Sequence, residues 1–475
     1  MLGLFGALNM ASQSLDTQMA GVEVTGQNLA NVNTPGYTRQ TVDIEASPDI
    51  STGVGPEGTG AEVTSIQQIS DALLNGQIQG QQSVSGYWNS QQSALQSAQT
   101  SLDEFLNGTG STSSSASSST DTTDSGLAAQ LSGLFNDFSS LADTPTSGTA
   151  QQAVVNQAQT LATAFNQTDS QLGDLNTSLN SSLTDDVSSA NGLLSQIASL
   201  NSEINSAQFS GGSANELLDT RQQDLDNLAQ LTDIQTSPGT GSAVDVSIGG
   251  QTLVSGGQTL DTLQTYNPGN GQLQVETATG GVPLTLTGGT IQGTIDARDG
   301  ALTTLRSGLN TLASTLITQV NGIQDSGYSP TGTTGTTFFT GNDAGNIAVN
   351  TALVNNPGLL QSSDSAADPS DNSVALQLAN LATTTQPGLN NQTFGDAYSQ
   401  TVAGLGDALQ TANDQVTNQT AVTTMLQTQL SDVSGVNVDQ EMTTLMSFQR
   451  AYEASAQLVT TLNTMMGDTL SMKNS

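Results

Sequence analysis

Carboxylates dominate the groups in this sequence that could do chemistry. Glu276 and Asp296 could flank a glycosidic bond as acid and base. Asp364, Asp368 and Asp371, and separately Asn342 with Asp343, could offer oxygen ligands to a hard cation, although neither set has EF-hand spacing. Nothing around these residues sets them apart from solvated loops. The chain has no His and no Cys, which removes thiol nucleophiles, Ser-His and Cys-His arrangements, disulfides and the usual zinc ligand sets. Triplets such as Asn107-Gly108-Thr109 are expected by chance in so Asn-, Ser- and Thr-rich a chain. No catalytic, cofactor-binding or metal site, and no cofactor, is therefore expected, and an enzyme is the weaker class of function.

Positive charge is the scarce resource. Six Lys and Arg face 42 Asp and Glu among 475 residues, a net charge of −36. Arg39, Arg221, Arg298, Arg306 and Arg450 should each lie beside a carboxylate, with Asp219 for Arg221 and Asp296 or Asp299 for Arg298 as local candidates; contacts between subunits are the alternative. Phosphate contacts supply most nucleic-acid affinity, so no nucleic-acid partner is expected, and anionic membrane surfaces are disfavoured likewise. No apolar run is long enough to span a membrane. No basic residue precedes the apolar start, so the N-terminus does not read as a Sec-type signal peptide. An acidic exterior, where protonation relieves self-repulsion, would suit this composition.

The two ends carry matching patterns. Val438, Leu445, Tyr452, Val459 and Met466 recur every seven residues, widened by Met442, Phe448, Ala456, Leu462 and Leu470. Met1, Leu8, Leu15, Val22 and Leu29 do the same at the start, with Leu4, Phe5, Ala11, Met19 and Val32 beside them. Each stripe predicts one apolar face of a long helix, and the two ends are natural partners in a coiled coil. Tyr452 lies on the stripe and is expected to pack in the core. Gly21 and Gly26 should weaken the first helix by about 1 kcal/mol each. That helix must stop at Asn33-Thr34-Pro35-Gly36, where Pro35 removes a donor and Gly36 suits positive φ.

Between the ends the reading is mainly helical. An extended segment follows Tyr37, and Ala61–Ile69 reads as a strand. Helix is expected to about Leu106, over Leu127–Leu141, from Ala150 to about Phe209 with a break near Asn191-Gly192, and after a capping box at Ser213 and Glu216. Thr109–Ser125 is a low-complexity surface loop. From about Ser242 to Ile295 the period changes to two, predicting short strands at Ala243–Ile248, Thr252–Val254, Leu273–Glu276 and Pro283–Leu286. Helix resumes at Ala297–Gln324, Ser373–Ala382 and Tyr398–Leu430. The fold class is therefore mainly α with an inserted small β domain, its terminal helices paired as a stalk in an elongated hairpin. The expected domains are 1–36 with 436–475, 37–240 with 293–435, and the β insertion at 241–292.

The words LANVNTPGYTRQ near the start and QRAYEASAQLV near the end resemble the signatures of the axial proteins of the bacterial flagellum. Two internal blocks, NELLDTR from Asn215 and GTIDARD from Gly293 with the segments after them, are similar to the hook-associated branch of that family; a hook or distal-rod protein would share the ends but not these blocks. The resemblance implies a structural role: export through the type III apparatus with an uncleaved signal, helped by a dedicated chaperone, then assembly as a ring of copies between hook and filament. Hook protein and a second junction protein would be the neighbours, and the location extracellular. It points to Leu8, Leu15, Val22, Leu29, Pro35, Gly36, Tyr37, Arg39, Leu445, Arg450, Tyr452, Val459, Leu462 and Met466 as assembly residues. The Ser-rich loop, compact β region and near absence of lysine depart from the family's pattern.

Overall fold

The computed structural model describes residues 3–52, 55–102, 126–269, 271–368 and 370–473; the Thr109–Ser125 loop, the Asn107 triplet and Met1 lie outside them. Helix α1 (Leu4–Ala30) ends before the turn, where Gly36 takes φ 77°. The chain reverses into β1 (Gln40–Ala46), closes a tip through β2 (Ile50–Thr52) and β3 (Gly55–Glu57), and returns as β4 (Ala61–Gln68). β1 and β4 form an antiparallel ribbon in register from Gln40 opposite Gln68 to Ala46 opposite Ala61, with a bulge at Asp43/Ile44. Helix α2 (Ala72–Ser101) starts sharply because the Asp71 carboxylate accepts the Leu73 and Leu74 N–H groups.

Helices α3 (Leu127–Asp143), α4 (Gly148–Phe209) and α5 (Asn215–Leu231) follow. A four-stranded antiparallel sheet comes next, β5 (Ile234–Pro238), β6 (Val244–Ile248), β7 (Gln251–Ser255) and β8 (Gln258–Thr259), in chain order. The hairpin of β9 (Leu263–Tyr266) and β10 (Gln274–Thr277) completes the β region. Helix α6 (Gly289–Asp296) passes through a π turn at Ala297–Leu302 into α7 (Thr303–Gln324). The small pair β11 (Phe339–Thr340) and β12 (Ala348–Val349), then α8 (Thr351–Asn355) and α9 (Ser373–Asn380), lead to α10 (Phe394–Ser434) and α11 (Val438–Lys473).

The fold class is as the sequence predicts: mainly helical, with small sheets and paired terminal helices. The 62-residue α4 threads two apolar cores. Its first half joins α3, α7, α9 and α10 around Phe138, Phe165, Leu316 and Phe394, all fully buried. Its second half, from Leu183 to Ile204, joins α5 and α6 against the inner faces of β6 and β7, with Ile197, Val246, Ile248 and Leu253 fully buried. The strands therefore share their core with helices on either side of them in sequence.

Local expectations fail where a side chain has a tertiary job. No break occurs at Asn191, because its amide clamps the β9 backbone, donating to the Leu263 carbonyl and accepting its N–H, both at 2.8 Å. Ser213 does not cap α5; Ala214 holds the cap position and gives no side-chain bond. Pro283–Leu286 makes only an isolated bridge, Pro283 to Glu276, whereas Ile234–Pro238 pairs with β6 as a strand.

Candidate assembly site

The terminal helices meet as the sequence requires, antiparallel and in long contact. Three crossings set their register. Asn28 reaches Glu441, Gly21 faces Phe448, and the Ser14 and Ser455 hydroxyls are 3.0 Å apart. Each step is seven residues on both helices, the coiled-coil period. At the middle crossing an added Cβ on Gly21 would stand 2.6 Å from the Phe448 ring. The glycine that weakens the helix locally thus lets it approach its partner.

The seam is not the apolar stripe that the heptads predict. Leu8, Leu15, Val22 and Leu29 are only half-buried, as are Leu445, Val459, Leu462 and Met466. The fully covered positions on α1 are Ala11, Thr17, Gly21, Val24, Thr25 and Asn28. Tyr452, expected in the core, is 39% exposed, because a two-helix seam has no third wall to cover so long a side chain. Val438, Met442 and Leu470 are exposed too.

At its upper end the pair is locked by the turn. Asn28 is the hub: its Nδ2 donates to the Gln40 carbonyl at 2.8 Å and to Glu441 Oε2 at 3.1 Å, while its Oδ1 accepts the Tyr37 hydroxyl and the Gln40 N–H, both at 2.9 Å. Arg39 Nε donates to Glu441 Oε1 at 2.7 Å, and the Arg39 N–H donates to the Ser434 carbonyl at 2.8 Å. Glu441 is only 2% exposed, so this pair is charge-assisted and largely desolvated. The turn also reaches the body, the Thr38 N–H donating to Asp219 at 3.0 Å and Gln27 to Glu216 at 2.8 Å. Burial first, then the charges of Asp219, Glu216 and Glu441, pushes the Tyr37 hydroxyl up to about 12, so it remains a donor. Burial also raises Asp219, against the Thr38 hydrogen bond that lowers it.

Of the predicted site residues, Tyr37 and Arg39 lie inside this network, Pro35 and Gly36 sit exposed on the turn, and Arg450 is exposed on α11. Asn28, Asp219 and Glu441 were missed. Spacing is the sequence signal for two of them, Asn28 lying seven residues after Gly21 and Glu441 seven before Phe448, whereas Asp219 was read only as a partner for Arg221.

The other candidate groups have local work. Arg306 pairs with Asp169 and Arg298 with the expected Asp299, each at 2.7 Å, but Arg221 donates to Asn201 and the Ser242 carbonyl rather than to Asp219. Glu276 accepts from Gln264, and Asp296 from Tyr87 and Gln292. Asp371 is held below the usual carboxylate range by the Ser373 hydroxyl and the Asp364 N–H, and Asp343 accepts the Gly345 N–H. These carboxylates organise loops and helix ends.

The comparisons with known proteins agree with this architecture. The family described as "Flagellar hook-associated protein FlgK helical domain" matches residues 113–339, and that described as "Flagellar basal body rod FlgEFG protein C-terminal" matches residues 421–472. Flagellar hook-associated protein 1 of Bacillus subtilis is 28% identical, with 97% of this chain and 96% of that protein covered. Over nearly its whole length the chain is similar to flagellar hook-associated protein 1. Its relative of the same description in Salmonella typhimurium is 24% identical, with 98% of this chain and 99% of that protein covered. In fold the chain is similar to the flagellar hook junction protein FlgK from Burkholderia pseudomallei, with TM-score 0.61 and 17% identity over 76% of this chain and 100% of that one. The second family match falls on the end of α10 and on α11, the half of the candidate site that carries Glu441, Phe448 and Arg450. No helix among the described residues is long and apolar enough to cross a membrane.

Proposed function

We propose that the chain is a structural, non-catalytic subunit of the external flagellum, assembled at the junction between hook and filament, where copies close a ring through α1 and α11. The unfinished terminal pair carries this reading. Phe5, Met19, Met446, Leu458, Met465 and Leu470 stay between 48% and 74% exposed, although each lies on a helix that already has a partner. Apolar side chains left uncovered along a paired helix invite further helices, and neighbouring copies would supply them. The partners in this reading are copies of the chain, hook protein below and a second junction protein above. Export unfolded through the type III apparatus, with a dedicated chaperone, fits helices with no core of their own, which are marginal before assembly.

Removing Leu462–Ser475 should leave a folded body but no functional junction. Electron microscopy of cells carrying this truncation should show bare hooks with filament subunit secreted. Normal filaments would overturn the reading, and missing hooks would favour a hook or rod role. Leu458→Glu with Met465→Glu should give the same bare hooks while the purified chain unfolds within about 0.5 kcal/mol of the parent, as exposed substitutions do.

A further inference from the structure

The β1/β4 ribbon carries an electrostatic defect that nothing among the described residues repairs. Glu45 stands directly opposite Glu62 in the antiparallel register. Directly opposite residues share a face of the ribbon with Cβ atoms about 5 Å apart, and like charges there are destabilising. Alternation along β1 puts Asp43 on that face as well. All three side chains are exposed, and among the described residues no hydrogen bond or ion pair engages their carboxylates. The opposite face carries Val42, Val63 and Ile66, all half-buried, with Ile44 exposed beside Val63.

The complementary defect is on α11. Arg39, Arg221, Arg298 and Arg306 are all committed to partners, whereas Arg450 is exposed and makes no hydrogen bond or ion pair among the described residues. In a chain with 42 Asp and Glu against six Lys and Arg, an arginine left in solvent is the exception.

The two defects lie at the same height along the stalk. Phe448 stands at Gly21 and Ser455 at Ser14, so Arg450 falls between those levels. On the ribbon, the Ala61 carbonyl accepts the Thr17 hydroxyl at 3.0 Å and the Ser47 hydroxyl accepts from Gln13 at 2.8 Å. Glu62 and Glu45, next to Ala61 and its partner Ala46, therefore share that span. Their directions differ. Arg450 is two residues from Phe448, about 200° around the helix, so it points away from α1, while the ribbon lies against α1.

We infer that Arg450 of one copy docks on the Glu45/Glu62 pair of a second copy. The contact rests on the ring assembly proposed above and names the surfaces that close it. A guanidinium can donate to two carboxylates at once and would turn the repulsive pair into an attractive triad. Because the two surfaces are different and point apart on one chain, the contact is heterologous, the type that generates a ring when the rotation closes.

The absence of cysteine makes the contact directly testable. Cells are made to produce an Arg450→Cys chain together with a Glu45→Cys chain, and isolated flagella are treated with a mild added oxidant. A covalent dimer should form from the mixture and not from either variant alone. Intact junctions without that dimer would overturn this contact and leave the ring reading standing; if the unsubstituted chain is absent from the junction in flagella isolated from parent cells, both fall. In a second arm, Arg450→Glu should reduce the number of filament-bearing cells at least fivefold, and Glu45→Arg with Glu62→Arg in the same chain should restore it. Loss without restoration, alongside an unchanged unfolding midpoint, would count against the pairing.

Discussion

The body and the terminal pair solve the burial problem in opposite ways. In the body, Phe138, Phe165, Leu161 and Leu194 reach complete burial, and two apolar clusters account for most of the chain's covered side chains. Among the described residues none of α1 or α11 belongs to a cluster, and the only apolar side chains that the pair buries are Ala11 and Val24. Yet the pair has long contact and a specific register. It is held by small residues, hydroxyls and one desolvated ion pair, which set geometry more than they contribute stability. The body is a finished fold, whereas the terminal pair has a set register and leaves many of its apolar side chains uncovered.

The largest expected effect tests the finished side. Phe138→Ala removes a fully buried ring that packs on Phe338 with centroids 5.6 Å apart, and should cost about 3–5 kcal/mol in denaturant unfolding. A cost below about 1 kcal/mol would mean that the body core is as loose as the stalk. Next comes the lock between the regions. Glu441→Ala strands Arg39 and one donor of Asn28, at a cost of about 3 kcal/mol, confined to the stalk. Hydrogen exchange should quicken in α1 and α11 while the body transition holds; a global loss would erase the distinction between the two regions.

Gly21→Ala should cost about 1–3 kcal/mol of stalk protection, since the new methyl forces the Phe448 ring out of place. Pairing it with Phe448→Leu should recover most of that loss. If Gly21→Ala instead stabilises the stalk, helix propensity outweighs the close approach.

The pH response belongs to the body and to the surface where the stalk docks. Burial pushes the Asp226 carboxyl from 3.8 up to about 6, over the hydrogen bonds from Gln222 and Gln79 that lower it. It lines a cleft of about 900 Å³ shared with the turn residues Tyr37 and Thr38. Between those values the folded chain keeps a proton that the unfolded chain has lost, so stability falls as pH rises from about 4 to about 6. Asp186 behaves alike, raised to about 6 by burial and by Asp185. Asp226→Asn should be neutral below about pH 4 and stabilise by on the order of 2 kcal/mol at pH 7. An unchanged pH profile in urea titrations would show that Asp226 is solvated. The sign matches the acidic exterior that the composition invites.

How much of this was legible in the sequence varies by kind of feature. The long helices were, because 3.5–3.6-residue periodicity is a local property: Leu302 to Leu316 lie on one face whatever the rest of the chain does; the short α6 was not, since Gly289–Asp296 falls in the stretch that reads as strands. The turn was legible because Pro35 and Gly36 restrict their own backbone. The Glu441 lock was not, since its partners Asn28 and Arg39 are about 400 residues away and meet it only after the chain has returned. The same holds for Asn191, a helix-breaking signal in sequence and a strand clamp in space.

The sequence by itself determined that this protein would be mainly helical and strongly acidic, with two matching amphipathic ends and family signatures at both of them. Those properties follow from periodicity, composition and short words. Only the tertiary structure decided which residues face the seam, that Gly21 is there for Phe448, that Tyr452 and Arg450 face outward, and that Glu45 stands against Glu62. Each of those depends on the register between segments distant in sequence, and a one-residue slip would change every contact without changing the pattern.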